Sequence, residues 1–235
     1  IPADNNILTW IRSNGFPVSK RSEILGAITH DSNTIAVSGT HGKTTVTTMV
    51  SHLLKQSAVG CSAFLGGISK NYNTNYIGGE GKYTVVEADE FDRSFHRLRP
   101  SIAVVTSLDA DHLDIYGDRE SMIEAYNEFC AKIKKGGKVI VNNRIRQLVR
   151  VPEGVGCLTY GTDQGADYLL SDVQHNPGYY SFSVTAPGLK IEDLHFRFPG
   201  IINLENMTAA VAVALQCGVT PDEIRSSVPL FQGVR

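Results

Sequence analysis

The run Thr34-Ile35-Ala36-Val37 passes through Ser38-Gly39-Thr40-His41-Gly42-Lys43-Thr44-Thr45 into a stretch with a different period. There Val46, Met49, Val50, Leu53 and Leu54 recur at i, i+3, i+4, i+7 and i+8. A short apolar run bounded by glycine is expected of a strand buried on both faces, and the second period is one face of a helix over residues 43–56. The unit recurs downstream. Tyr83-Thr84-Val85-Val86 ends in Glu87-Ala88-Asp89-Glu90, and Ile102-Ala103-Val104-Val105-Thr106 ends in Asp109-Ala110-Asp111-His112. Met122, Ile123, Tyr126, Phe129, Cys130 and Ile133 mark a second amphipathic helix stopped by Gly136-Gly137, and Val139-Ile140-Val141 is a fourth strand. This β-α-β-β-α-β order predicts an α/β fold: a mostly parallel sheet flanked by helices, with a phosphate-loop-type nucleotide site.

The remaining segments read differently. Residues 5–29 are two short helical pieces broken at Asn14-Gly15-Phe16-Pro17, and residues 66–81 are rich in Gly and Asn. Residues 167–198 alternate around the turns Asn176-Pro177-Gly178 and Ala186-Pro187-Gly188, which predicts a small antiparallel sheet. A helix follows from about 203 to 217, with Gly218 as its stop.

The chain has 235 residues, enough for one large α/β domain or two small ones. A net charge of −2 without basic runs disfavours nucleic acid or an anionic membrane as general partners, and leaves room for a local anion site. Cys61, Cys130, Cys157 and Cys217 are scattered without a Cys-x-x-Cys pair, which argues against a metal cluster or a disulfide framework and fits a reducing cytoplasm. No apolar stretch is long enough to span a bilayer, so membrane insertion is not expected.

In open α/β sheets ligands sit beyond the carboxyl ends of the strands. Three chemically loaded segments fall there: Gly39–Thr45, Glu87–Glu90 and Asp109–His112. The loop lacks the first glycine of G-x-x-x-x-G-K-[ST], since Val37 stands in its place. Its working parts remain. Gly39 and Gly42 let backbone N–H groups turn toward an anion, and the helix that follows adds its positive end. Lys43 can reach β- and γ-phosphates and Thr44 can join an Mg²⁺ shell. A glycine turn that merely caps a helix would share the Gly-Lys-Thr, but the buried strand before it and the amphipathic helix after it favour nucleotide. Glu87, directly after Val85-Val86, is placed as a metal-binding acid, whereas Asp89, Glu90 and Asp92 can simply shape the field. His112, ringed by Asp109, Asp111 and Asp114, is a candidate for a second cation or for anchoring a phosphate.

Three motifs together, Gly39-Thr40-His41-Gly42-Lys43-Thr44-Thr45, Glu87-Ala88-Asp89-Glu90-Phe91-Asp92-Arg93-Ser94-Phe95 and Asp111-His112-Leu113-Asp114-Ile115-Tyr116, resemble those of the Mur ligases of peptidoglycan synthesis. The missing glycine fits, because that family's own loop reads G-T-[HN]-G-K-[ST]-[ST]. The resemblance implies a three-domain enzyme. Residues 1–31 would be the linker and helical lead-in from an N-terminal UDP-binding domain, and residues 32–235 the central ATP-binding domain, ahead of a C-terminal domain. It implies ATP and Mg²⁺ as cofactors, with Lys43 on the phosphates, Thr44 and Glu87 on one Mg²⁺ and His112 on a second; Lys43 and His112 would be the catalytic pair.

Asn203-Leu204-Glu205-Asn206 before Ala209-Ala210 resembles the family's adenine-side motif, although Ile202 stands where the family has histidine. Asn203 could instead cap a helix, and Asn206 could simply be exposed. His41, and Asn127 where several relatives carry a lysine, fit the alanine-adding branch, with UDP-N-acetylmuramate and L-alanine as substrates. Asn71, Asn73 and Asn75 lie in a loop that could reach the UDP-sugar or could just turn the chain. Two alternatives stand beside this: a recycling ligase that attaches a ready-made peptide, and a nucleotide-binding switch without ligation. The resemblance implies a longer insertion after the acidic motif in the recycling branch, and the five residues between Phe95 and Ser101 favour the alanine branch.

Overall fold

The computed structural model of the chain describes residue 2, residues 4–109 and residues 116–235. The expectations for Asp111, His112 and Asp114 therefore lie outside the described residues. Two helices lead in: α1 (Asn6–Ser13), capped by the Asn5 side chain, and α2 (Arg21–Asp31). Strand β1 (Asn33–Ser38) then runs through the glycine loop into α3 (Lys43–Lys55). There follow β2 (Cys61–Ser69), β3 (Thr74–Ile77), β4 (Tyr83–Glu87), a 3₁₀ segment (Phe91–Arg97) and β5 (Ile102–Val105). Helix α4 (Arg119–Cys130) leads to β6 (Lys138–Asn142) and β7 (Gly156–Gly161). An antiparallel meander, β8 (Tyr168–Asn176), β9 (Tyr179–Ala186) and β10 (Leu189–Phe196), precedes α5 (Ile202–Gln216) and α6 (Pro221–Ser227).

One sheet holds all ten strands, in the order β10-β9-β8-β7-β6-β5-β1-β4-β2-β3. The four strands that were read as buried runs, β6, β5, β1 and β4, pair in parallel, with β1 between β4 and β5. Side chains alternate between the two faces. Ile35, Val37, Val85, Val104 and Ile140 join the core under α3, α5 and α6, whereas Ala36, Val86, Ala103, Val105, Val139 and Val141 join the core under α4. Nothing along β1 from Thr34 to Ser38 reaches solvent, which explains a run of apolar residues without alternation.

The expected antiparallel strands are present at the expected turns, and they continue the main sheet. Strand β8 starts parallel to β7 through Tyr160↔Tyr168 and Gly161↔Leu169 before the meander reverses it. Strand β3 and the outer half of β2 fall where only a Gly/Asn-rich segment was read, and the inner half of β2 was not read as a strand. Strand β2 pairs with β4 through Cys61–Phe64, and its outer half turns back as β3.

Candidate nucleotide site

The loop between β1 and α3 is stitched to the end of β5, its neighbour in the sheet. The Thr40 N–H donates to Ser107 O (3.1 Å), the His41 N–H to Ser107 Oγ (2.8 Å), and the Thr106 hydroxyl to Ser38 O (3.1 Å). Thr40 Oγ1 in turn accepts from the Asp109 N–H (3.1 Å). Gly39 has φ +132°, and a Cβ there would collide with Thr106 Oγ1. Gly42, at φ +83°, is the N-cap of α3, and no side chain caps that helix. The N–H groups of its first turn therefore face outward unsatisfied by side chains, beside the positive end of the helix. An anion is the natural occupant of such an end.

Lys43 lies on the inner side of the loop. Its Nζ donates to Gly39 O (2.8 Å) and to Glu90 Oε1 (2.7 Å). Glu87, the last residue of β4, lies opposite Val37 in the parallel register. Burial pushes its carboxyl above the usual carboxylate range, while the Thr44 hydroxyl and the Lys43 charge pull it back down. Its Oε2 is buried with no hydrogen-bond donor against it. Gly66 of β2 packs directly on that carboxylate, leaving no space for a side chain.

A buried, undersatisfied carboxylate oxygen beside a hydroxyl suits a hard cation. Mg²⁺ commonly takes one or two carboxylates together with phosphate oxygens. Thr44 and Glu87 are therefore a fitting pair for it. Among the described residues there is no group of three or more His, Cys, Asp or Glu that could hold a metal without such help. Asp89 plays a different part: its carboxylate accepts from the Phe91 N–H (3.0 Å) and starts the 3₁₀ turn.

Beside the loop opens a cleft of about 530 Å³, lined by His41, Gly42, Thr45, Asn142, Tyr160 and Asn206 among others. Asn206 is buried on the first turns of α5, and its Oδ1 would stand 3.0 Å from a Cβ at Gly42. Asn206 Nδ2 donates to Asn203 Oδ1 (3.3 Å), and Asn203 Nδ2 donates to Pro199 O (2.6 Å). Neither asparagine is the cap of α5, a position held by Ile201. Arg144 and Glu205 form an ion pair across the same cleft. His41 stays on the rim, largely exposed, 3.8 Å from Asp109. Asn127 is a structural staple: its amide donates to Leu148 O (3.2 Å) and accepts from the Arg150 N–H (2.7 Å). A second cleft of about 270 Å³ lies beyond Glu87, with Lys20, Arg21, Asp89 and Phe91 in its wall.

The structure thus gathers Gly39 to Thr45, Glu87, Asn203 and Asn206 around one end of β1. It adds Thr106 and Ser107, which the sequence reading did not single out, and it gives Glu90, read only as shaping the field, a direct partner in Lys43. Ser107 follows a buried strand, a position that marks a loop scaffold only once β5 is known to adjoin β1.

Residues 37–214 match the Mur ligase middle domain. The UDP-N-acetylmuramate–L-alanine ligase of Porphyromonas gingivalis W83 is 45% identical over 235 residues, covering 99% of this chain and 52% of its own. A crystal structure of the corresponding ligase from Thermotoga maritima superposes with a TM-score of 0.82 at 24% identity, covering all of this chain and 54% of that one. A UDP-N-acetylmuramate:L-alanyl-γ-D-glutamyl-meso-diaminopimelate ligase from Neisseria meningitides superposes equally well, with a TM-score of 0.84 at 21% identity over 100% of this chain and 77% of that one. The chain spans about half the length of the curated relatives it matches. The match to the middle-domain family covers most of the chain, which belongs to the Mur ligase family, in the part that forms the middle domain.

Proposed function

We propose that the chain is the ATP-binding part of a ligase that joins L-alanine to the carboxylate of UDP-N-acetylmuramate in peptidoglycan synthesis. The observation that carries this reading is the convergence of Lys43, Thr44 and Glu87 at one end of β1, in a chain 45% identical to a named alanine ligase. The two crystal structures have less than 25% identity and support the fold alone, so they do not separate the alanine branch from the recycling branch. The sequence relatives favour the former.

In this reading the loop N–H groups and Lys43 hold the β- and γ-phosphates of ATP, and the large cleft holds the base against Asn206. The acceptor carboxylate approaches across Glu87 from the smaller cleft. Its oxygen attacks the γ-phosphorus, ADP leaves, and an acyl phosphate forms. The amine of L-alanine then adds to the acyl carbon, and the tetrahedral intermediate expels phosphate. Bound Mg²⁺ would neutralise phosphate charge, with Thr44 and Glu87 as its protein ligands and His112 on a second cation. Such transfer depends on positioning and on charge neutralisation more than on covalent help from the protein. Residues 1–31 then form the lead-in and residues 32–235 the ATP-binding unit of a cytoplasmic enzyme. No helix among the described residues is long and apolar enough to cross a membrane.

The test is ADP release by the intact protein. Release that requires UDP-N-acetylmuramate and L-alanine together supports ligation, and Lys43→Ala should reduce it at least 10²-fold in a folded protein. Release independent of both substrates favours the switch, and release with a peptide in place of alanine favours recycling.

A further inference from the structure

Glu90 is three residues beyond the expected cation ligand, at the start of the 3₁₀ segment, and its side chain is 1% exposed. A carboxylate this deep needs a compensating charge, and Lys43, itself 14% exposed, supplies one at 2.7 Å. The carboxylate's backbone is anchored too. The Tyr116 hydroxyl donates to Glu90 O (2.6 Å), and the Arg93 guanidinium lies over the Tyr116 ring at 5.5 Å.

An ammonium has three N–H donors. Gly39 O takes one and Glu90 Oε1 another, each held by its own part of the sheet. The third is left to point away from both. A flexible point charge thereby becomes an aimed donor whose charge is partly offset.

We infer that Glu90 is a positioning residue for Lys43: it aims the ammonium at the terminal phosphates and limits how tightly they are held. The inference rests on reading the loop as an ATP site. Glu90 acts through Lys43 and makes no contact with nucleotide. Its consequence is specific to phosphate number. Without the opposing carboxylate, Lys43 binds β- and γ-phosphates more tightly, and ADP leaves more slowly.

The experiment measures affinities for AMP, ADP and ATP by calorimetry on the intact protein at fixed Mg²⁺. Glu90→Gln keeps the shape and an acceptor oxygen but removes the charge. It should tighten ADP and ATP at least fivefold relative to AMP. Glu90→Met fills similar volume but offers no comparable acceptor, so it removes the aim with the charge. Its gain relative to AMP should be smaller than that of Glu90→Gln, and it serves as the test if the glutamine variant lacks a cooperative melt. In a Lys43→Met background, Glu90→Gln should change the ADP-to-AMP ratio less than twofold. An unchanged or falling ratio overturns the inference, as does a rise that persists without Lys43. A merely structural Glu90 would move all three nucleotides alike or none. A wild-type protein that binds no nucleotide would overturn the ATP-site reading itself.

Discussion

Glu87 ends a strand in the middle of the sheet with one carboxylate oxygen buried and no donor against it. Burial of a charge without full compensation costs stability, and here it raises the carboxyl's proton affinity. A group whose folded-state pKa is raised favours the protonated form, so in the ligand-free protein ionised Glu87 works against folding at neutral pH. Glu87→Gln should therefore stabilise the ligand-free chain by about 1 kcal/mol, a rise of about 2–4 °C in melting temperature. The same variant should lose at least tenfold in Mg²⁺-dependent nucleotide affinity. Differential scanning calorimetry with and without Mg²⁺ and ATP reads both effects. A lower melting temperature together with unchanged Mg²⁺ dependence would remove Glu87 from the cation's shell. Glu87 was legible in the sequence because an acid directly after Val85-Val86 must lie at a strand's carboxyl end. Glu90 was not, because its inward aim depends on the 3₁₀ turn started by Asp89 and on Lys43 arriving from a loop 47 positions earlier.

At the scale of elements, the segment after α6 returns to the outer half of β2. The Ile68 N–H donates to Arg235 O (2.8 Å) and the Arg235 N–H to Ile68 O (3.0 Å). Asn71 clamps the same segment, donating to Leu230 O (2.7 Å) and accepting from the Gln232 N–H (2.9 Å). Asn73 Oδ1 accepts from the Arg235 guanidinium (2.6 Å). Asn71 thus holds the chain's own backbone and Asn73 its Arg235 side chain, whatever else the loop approaches. Gly67 of β2 lies between Val234 and the Thr44 methyl, so this pairing abuts the phosphate loop. Asn71→Ala should cost about 1–2 kcal/mol in urea unfolding and open residues 228–235 to protease before the rest of the chain unfolds. Global unfolding unchanged, with the segment still protected, would show the clamp to be inert. Strand β2 was illegible for a related reason. Gly66 and Gly67 interrupt its alternation, and its outer half is held by Thr74 across a short turn and by residues 233–235, far away in sequence. Helix α3 was legible by its own period, and strands β1, β4, β5 and β6 as short apolar runs that need no partner to be recognised.

One continuous sheet, buried on both faces along its central strands, runs through the described residues, and that continuity rests on two residue pairs between β7 and β8, a contact no local pattern announces. Both faces hold cysteines. Cys61 of β2 and Cys217 at the end of α5 belong to the core on one face, and Cys130 at the end of α4 to the core on the other. All four cysteines are free thiols. Burial pushes the thiols of Cys61, Cys130 and Cys217 up to about 12, and raises that of half-buried Cys157 as well. In an unfolded chain a thiol ionises near pH 8.5. Because the folded-state values are raised, the folded chain keeps protons that the unfolded chain has already lost. The stability tied to these thiols is fully present below about pH 8.5 and falls as the pH climbs from there toward 12. Urea unfolding between pH 7 and pH 10 should show a decline that starts near pH 8.5. Replacing Cys61, Cys130 and Cys217 by Ala should flatten that slope while lowering stability at pH 7 through the cavities left behind. At pH 8 an aromatic disulfide reagent should label the native chain at Cys157 ahead of the others and all four thiols after unfolding. Rapid labelling of all four in the native chain, or no alkaline slope, would mean that the two faces of the sheet open to solvent far more readily than their packing implies.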